Sequence, residues 1–204
     1  MADIFSNDPK SRRDATTRGA VSAPSAVSVG DPLLGLVEML FFAYRDFTGE
    51  PDAVLETFGL GRAHHRVLHF VNRHPGLRVA DLLELLKITK QSLGRVLRKL
   101  VDDGWIEQKT GPDDRRERLL TLTPAGRNLA ARLAALQVRR VAAALDEIMA
   151  GRPGEDTGKA QEYVRNFLFA MITREDRDAV AAIVDGGAAG KPLGRNSPTD
   201  REAR

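Results

Sequence analysis

A run of cations without an acid is the part of this sequence best suited to chemistry. Between Lys87 and Lys99 there are five positive side chains and no aspartate or glutamate; they are Lys87, Lys90, Arg95, Arg98 and Lys99. Clustered cations bind anions, and the phosphates of a nucleic acid are the anions that a basic helix fits. The alternative is a solvated helix face that binds nothing.

The apolar residues between these cations predict a helix over residues 90–103. They recur at the i, i+3, i+4, i+7 spacing of a core-facing helix; they are Leu93, Val96, Leu97, Leu100 and Val101. Gln91, Arg95 and Arg98 fall on the opposite side. We expect Thr89 to cap the N-terminus and Gly104 to end the helix in a left-handed conformation.

The neighbouring segments predict a winged helix. Residues 80–86 form an amphipathic helix, and the short turn 87–89 joins it to the cationic helix as a helix-turn-helix. Residues 105–110 and 117–123 then form a hairpin with a charged tip at 111–117. A short strand is expected at 77–79, before the first of the two helices.

The remaining pattern is helical, so the predicted fold class is mainly α with a small antiparallel β-wing. Further helices are predicted at 32–47, 51–58 (a short turn), 62–73, 124–149, 159–172 and 174–184. Apolar residues cover more than one face of 32–47, which suggests burial at a dimer interface. The expected organisation is a disordered tail (1–30), an N-terminal dimerisation region (31–58), a winged helix-turn-helix domain (59–123), C-terminal dimerisation helices (124–184) and a second disordered tail (185–204).

Composition excludes several classes of site. The 204 residues carry a net charge of +3 and no cysteine, which rules out disulfides and thiolate metal sites and fits a reducing cytoplasm. The longest apolar run, from Leu33 to Tyr44, is interrupted by Glu38 and is too short to cross a membrane.

Two other groups of residues could do chemistry, and the sequence favours neither. His65 and His69 lie one helical turn apart and are candidate metal ligands, but no acid lies between them, and ordinary packed histidines are the default interpretation. Asp113 and Asp114 could act as an acid and a base, but they lie in a turn among arginines. Glycine-rich phosphate loops and nucleophile motifs are absent from the sequence, so we expect neither an enzyme nor a cofactor.

Two blocks of sequence resemble the MarR family of winged-helix transcriptional regulators. They are ITKQSLGRVLRKLVDDGWI and DDRRERLLTLTPAG, the second similar to the family's D-R-R, spacer, L-T-x-x-G pattern. The resemblance covers about residues 33–148. It implies a cytoplasmic homodimer that regulates transcription by binding a palindromic or pseudopalindromic operator in double-stranded DNA. Helix 90–103 would enter the major groove and the wing tip 111–117 the minor groove.

Carried onto this sequence, the resemblance implies a role for each of nine residues. Gln91, Ser92 and Arg95 would approach base edges, and Arg95 would read guanine. Lys90, Arg98 and Lys99 would contact phosphates, and Arg115 and Arg116 would occupy the minor groove, with Asp114 orienting Arg116.

The resemblance does not specify an effector, the helix at 159–172 or a single function. The resemblance allows for a small-molecule effector, but no residue set identifies one. The helix at 159–172 is additional to the family pattern. A protein that modulates a partner regulator with little or no DNA binding is the alternative function.

Overall fold

The computed structural model describes residues 28, 30–112, 114–150 and 156–186. Most of both predicted tails, and Asp113, therefore lie outside the described residues. The chain separates into one unit that ends at Leu40 and a second that begins at Phe41. The winged helix-turn-helix belongs to the second unit.

Seven α-helices and three strands form the described part of the chain. In chain order they are α1 (Pro32–Glu56), α2 (Arg62–Arg73), β1 (Leu77–Arg78), α3 (Val79–Leu86), α4 (Lys90–Asp102), β2 (Ile106–Thr110), β3 (Arg118–Leu122), α5 (Pro124–Ala150), α6 (Thr157–Ala170) and α7 (Arg177–Val184), with a 3-10 turn (Arg174–Asp176) before α7. The predicted fold class, mainly α with a small antiparallel wing, is confirmed.

Helix α1 differs from the prediction at its C-terminal end. The sequence predicts a break before Pro51 and a separate turn over 51–58, whereas α1 runs through Pro51 to Glu56. Proline in a helix interior removes a hydrogen bond and is usually unfavourable. Pro51 and Leu55 are fully buried, and this burial offsets the cost of the lost hydrogen bond.

The core of the second unit lies between α2, α3, α4, the sheet and the first half of α5. Its largest fully buried side chains include Leu68, Leu82, Leu93, Leu100, Leu120 and Leu133. Burying one leucine side chain contributes about 1.5–3 kcal/mol. The inner face of α4 is as predicted, with Leu93, Val96, Leu97 and Leu100 buried and Val101 partly buried. This packing leaves the cationic face of α4 outside.

The three strands form one antiparallel sheet in the order β1-β3-β2. Ile106 pairs with Leu122 at the base of the hairpin, and Thr110 pairs with Arg118 at its outer end. The short predicted strand is present as β1, which pairs Leu77 with Leu120. Leu120 and Leu122 face the core, so the base of the wing is fixed to the helix-turn-helix.

The additional helix predicted at 159–172 is present as α6. Asp156 caps it by accepting a hydrogen bond from the backbone N–H of Gly158 at 2.9 Å. None of the α6 residues is buried, although several are large and apolar; these are Tyr163, Val164, Phe167 and Leu168. In the described ranges, no helix combines the length and apolarity needed to cross a membrane.

Candidate nucleic-acid interface

Helix α4 begins and ends where the sequence predicts. The Thr89 hydroxyl accepts a hydrogen bond from the backbone N–H of Ser92 at 3.1 Å and donates one to the Ser92 hydroxyl at 2.9 Å. Gly104 follows the helix with φ +78°, a conformation that favours glycine. The predicted cap and the predicted end are both confirmed.

The outer face of α4 carries most of the predicted DNA-binding residues. Lys90, Gln91, Arg95 and Arg98 are exposed, and Ser92 is half-buried. Lys99 differs from the other cations, because its ammonium group lies 2.9 Å from the carboxylate of Asp103. The side chains of α4 that are free to meet an anion therefore lie mainly at Lys90, Arg95 and Arg98.

The wing tip is a compact loop closed by Gly111 and Glu117. The backbone N–H of Gly111 donates to the Glu117 carbonyl at 3.1 Å, and the Glu117 N–H donates to the Asp114 carbonyl at 3.0 Å. The Asp114 carboxylate accepts the backbone N–H of Arg116 at 2.8 Å. Asp114 thus holds the main chain of Arg116, while the side chains of Arg115 and Arg116 are exposed.

Arg118 is a wing residue that sequence reasoning did not single out. Its guanidinium donates to the Arg115 carbonyl at 2.8 Å and lies 3.3 Å from the Thr110 hydroxyl across the hairpin. The first contact fixes the loop that carries the two predicted minor-groove arginines. A cation at the start of the second strand was visible in the sequence, but its target depends on a strand register that the sequence does not specify.

Arg78 was also missed, and it lies at the centre of an ion-pair network. Its guanidinium donates to both carboxylate oxygens of Asp81, at 2.7 and 2.5 Å, and to Glu117 at 3.0 Å. Asp81 is buried, with 6% of its surface exposed. The hydrogen bonds to Asp81, followed by the weaker effect of Glu117, raise the pKa of Arg78 above its ordinary value, although burial opposes the shift.

A cleft of about 800 Å³ lies between α3, α4 and the wing. Cationic side chains from both α4 and the wing line it; they are Lys90, Arg98, Arg116 and Arg118. Gly94 also lines the cleft, and a Cβ atom at this position would meet nothing within 4 Å. No neighbouring helix in the described part of the chain therefore requires a glycine at this position.

The histidines lie away from this cleft. His65 and His69 line a second cavity, of about 390 Å³, together with Tyr44, Thr48 and Gln137. Burial lowers the pKa of both imidazoles. Within the described residues, no group of three or more potential metal ligands comes together. The histidine pair thus lacks further protein ligands in that part of the chain.

A model of the MarR family matches residues 58–117, from the connection between α1 and α2 to the wing tip. The matched segment contains α3, α4 and their turn, which carry the helix-turn-helix described above. Over this segment, the chain is similar to the MarR family.

Two curated relatives and one solved structure are also similar to this chain. The chain is 52% identical over 108 residues to the transcriptional regulator PetP of Rhodobacter capsulatus. The aligned residues are 53% of this chain and 65% of PetP. It is 34% identical over 87 residues to the transcriptional repressor Rv2887 of Mycobacterium tuberculosis. Here the aligned residues are 43% of this chain and 63% of Rv2887. The chain thus spans just under two thirds of each relative. Neither name is that of an enzyme, in agreement with expectation.

A crystal structure of MarR superposes with a TM-score of 0.52 at 22% identity, covering 79% of this chain and 99% of that one. At this level of identity the superposition shows a shared fold. It extends beyond the segment that the family model matches.

Proposed function

We propose that this protein is a homodimeric regulator of transcription of the MarR family, which binds a palindromic or pseudopalindromic operator. In this proposal α4 enters the major groove and the wing tip enters the neighbouring minor groove. The names of PetP and Rv2887, a regulator and a repressor, support a role in transcription.

The cationic lining of one cleft by two separate elements is the observation that carries the proposal. Lys90 and Arg98 come from α4, and Arg116 and Arg118 come from the wing. A helix and a hairpin that present cations around one cleft are suited to the sugar-phosphate backbone between two grooves. If the cations of α4 only formed a solvated helix face, there would be no reason for the wing to place cations around the same cleft.

The roles proposed for the individual residues are those that the resemblance implies, and the exposure of the cations is consistent with them. Arg95 is exposed on the outer face of α4, and its planar guanidinium can donate two hydrogen bonds to guanine. Gln91 and Ser92 approach neighbouring base edges. Lys90 and Arg98 contact phosphates, whereas Lys99 would first have to leave Asp103.

The wing would meet DNA through its two exposed arginines. Arg115 and Arg116 project from the loop, and the narrow minor groove has a strongly negative potential that attracts such side chains. Asp114 fixes the main chain of Arg116 and so limits the positions that its guanidinium can reach.

A second copy of the chain would cover the apolar side chains that the single chain leaves exposed. Phe41 and Phe42 of α1 are 71% and 57% exposed, and Phe167 of α6 is 49% exposed. Contiguous exposed apolar residues indicate an interaction surface. A dimer would also provide two recognition helices, as a palindromic operator requires.

Selection of bound DNA from a random pool, using the full chain, tests the proposal. We expect enrichment of an inverted repeat with half-sites about one helical turn apart, and binding that weakens steeply as salt rises. Enrichment of single half-sites would contradict dimeric recognition. If no sequence is enriched and the chain instead copurifies with another regulator, the protein acts through that partner.

A further inference from the structure

Arg78 joins the helix-turn-helix to the base of the wing tip. Its guanidinium holds Asp81, in the first turn of α3, and donates a further hydrogen bond to the Glu117 carboxylate at 3.0 Å. A guanidinium has five N–H donors in one plane, so it can bind two carboxylates at once. Among the described ion pairs, only the one between Arg78 and Glu117 links these two parts of the domain.

This contact begins where the backbone pairing of the sheet stops. β1 pairs with β3 through Leu77 with Leu120 and Arg78 with Leu119, and it ends there. The hairpin continues beyond Leu119 toward the tip without a third strand. The Arg78 side chain extends the connection two residues farther, from Leu119 to Glu117.

Glu117 is well placed to transmit this connection to the tip. Its backbone makes both hydrogen bonds that close the loop, one with Gly111 and one with Asp114. A Cβ atom at Gly111 would lie 2.9 Å from the Asp114 carbonyl oxygen and 3.0 Å from the Glu117 Cβ, so the loop is closely packed there. Movement of the Glu117 side chain would therefore move the segment that carries Arg116.

We propose that Arg78 and Glu117 are positioning residues, which hold the wing tip at the angle at which Arg116 enters the minor groove. The inference rests on the proposed function, because it assigns these two residues a part in DNA recognition. Neither residue contacts DNA in this arrangement. They act through the wing, and the affinity contributed by Arg116 depends on them.

Glu117→Ala tests the proposal with little risk to the fold. Arg78 keeps its two hydrogen bonds to buried Asp81, so no buried charge loses its partner. Glu107→Ala is the matched control, because it removes the same charge from the same hairpin. Glu107 is exposed on β2 and pairs only at 3.4 Å with Lys109, among the described residues.

Affinity for the selected operator is then measured for five proteins: the parent, Glu107→Ala, Glu117→Ala, Arg116→Ala and the double variant of Arg116 and Glu117. We expect Glu117→Ala to bind about two- to fivefold more weakly than Glu107→Ala, the range that a partly exposed ion pair can supply. We expect no further loss when Glu117→Ala is added to Arg116→Ala, because the wing arginine is already gone. Equal affinities for the two acid variants would overturn the proposal. It would also be overturned if Glu117→Ala weakened binding by the same factor whether or not Arg116 is present.

Hydrogen exchange in the absence of DNA provides a second and independent measurement. We expect faster exchange in a peptide that covers 111–118 for Glu117→Ala, and the parent's rate for Glu107→Ala. Unchanged exchange in Glu117→Ala would show that the contact does not hold the wing. If the parent binds no DNA, the proposed function fails, while the exchange rates still decide whether Arg78 and Glu117 fix the loop.

Discussion

The backbone of Gly126 lies directly against the carbonyl group of Trp105. A Cβ atom at residue 126 would overlap the Trp105 carbonyl oxygen and would lie 3.0 Å from its carbonyl carbon. Thr123 makes the approach possible, since its hydroxyl donates to the Gly104 carbonyl at 2.7 Å and accepts the Gly126 N–H at 3.0 Å. The threonine and glycine of the L-T-x-x-G pattern thus join the start of α5 to the residues that follow α4.

Gly126→Ala should therefore destabilise the fold by about 3 kcal/mol, because backbone atoms must move to accommodate the methyl group. Gly94→Ala is the matched control, since its methyl group would meet nothing within 4 Å. That variant should gain up to about 1 kcal/mol from its higher helix propensity. Urea unfolding of both proteins measures the difference, and equal stabilities would show that the contact at Gly126 is easily relieved.

Thr89→Ala should lower stability by about 1 kcal/mol, because it leaves the N–H of Ser92 without its capping oxygen. Thr89→Ser keeps that oxygen and should retain most of the stability. The two variants are compared by denaturant unfolding at a fixed pH. Loss of stability in the serine variant as well would point to the methyl group of Thr89 rather than to the cap.

The boundaries of the helix-turn-helix were predictable because local signals agreed with the global fold. Thr89 and Gly104 have cap and stop chemistry, and the apolar spacing between them matches a helix with one buried face. Pro51 shows the opposite case. A proline two residues after a glycine predicts a break, but burial of Pro51 and Leu55 overrides this local preference, and burial depends on tertiary packing.

The candidate site was predictable in its residue types and less so in its contacts. The sequence indicated the exposed cations of α4 and the wing, since charge and periodicity are local properties. The pairing of Arg78 with Glu117 spans 39 positions and depends on the antiparallel register of β1 with β3. Lys99 has an acid four residues later, so its pairing with Asp103 could have been anticipated from helical spacing.

Stability should fall as the pH drops below about 6.5, and His65 should contribute to that fall. Burial lowers the pKa of its imidazole below the ordinary value of 6.5, although Asp52 opposes the shift. At a pH between the folded and the unfolded pKa of His65, the unfolded chain binds a proton that the folded chain does not. The contribution of neutral His65 to folding stability is therefore complete above the unfolded pKa and is lost as the pH falls from that value toward the folded pKa. Urea unfolding at pH 7.5 and pH 5.5 should show a smaller difference for His65→Gln than for the parent. An identical difference would exclude His65 as a contributor.

The exposed aromatic residues of α6 should stabilise the proposed dimer. Phe167→Ala removes a large apolar side chain that the single chain leaves half exposed, and it should raise the dimer dissociation constant about tenfold. Lys159→Ala, on the same helix, is the control and should leave the constant near that of the parent. Sedimentation velocity over a concentration series measures both. If the two variants had the same dimer dissociation constant, Phe167 would not lie in the dimer interface.

Arg95 and Arg98 should affect DNA binding in different ways, although both are exposed arginines of α4. Arg95→Ala should cost about 1–3 kcal/mol at the selected operator and relax the preference at one base pair of each half-site. Arg98→Ala should instead weaken binding to all sequences by a similar factor, and should reduce the slope of log affinity against log salt by about one per subunit. The two variants lose the same charge from the same helix, so each is the control for the other. Titrations at several salt concentrations, on the operator and on single-base variants of it, separate the two effects. If Arg98→Ala relaxed base preference while Arg95→Ala changed only the salt slope, the roles assigned to the two arginines would be reversed. Helix α4 would then lie in the groove with a different face toward the bases.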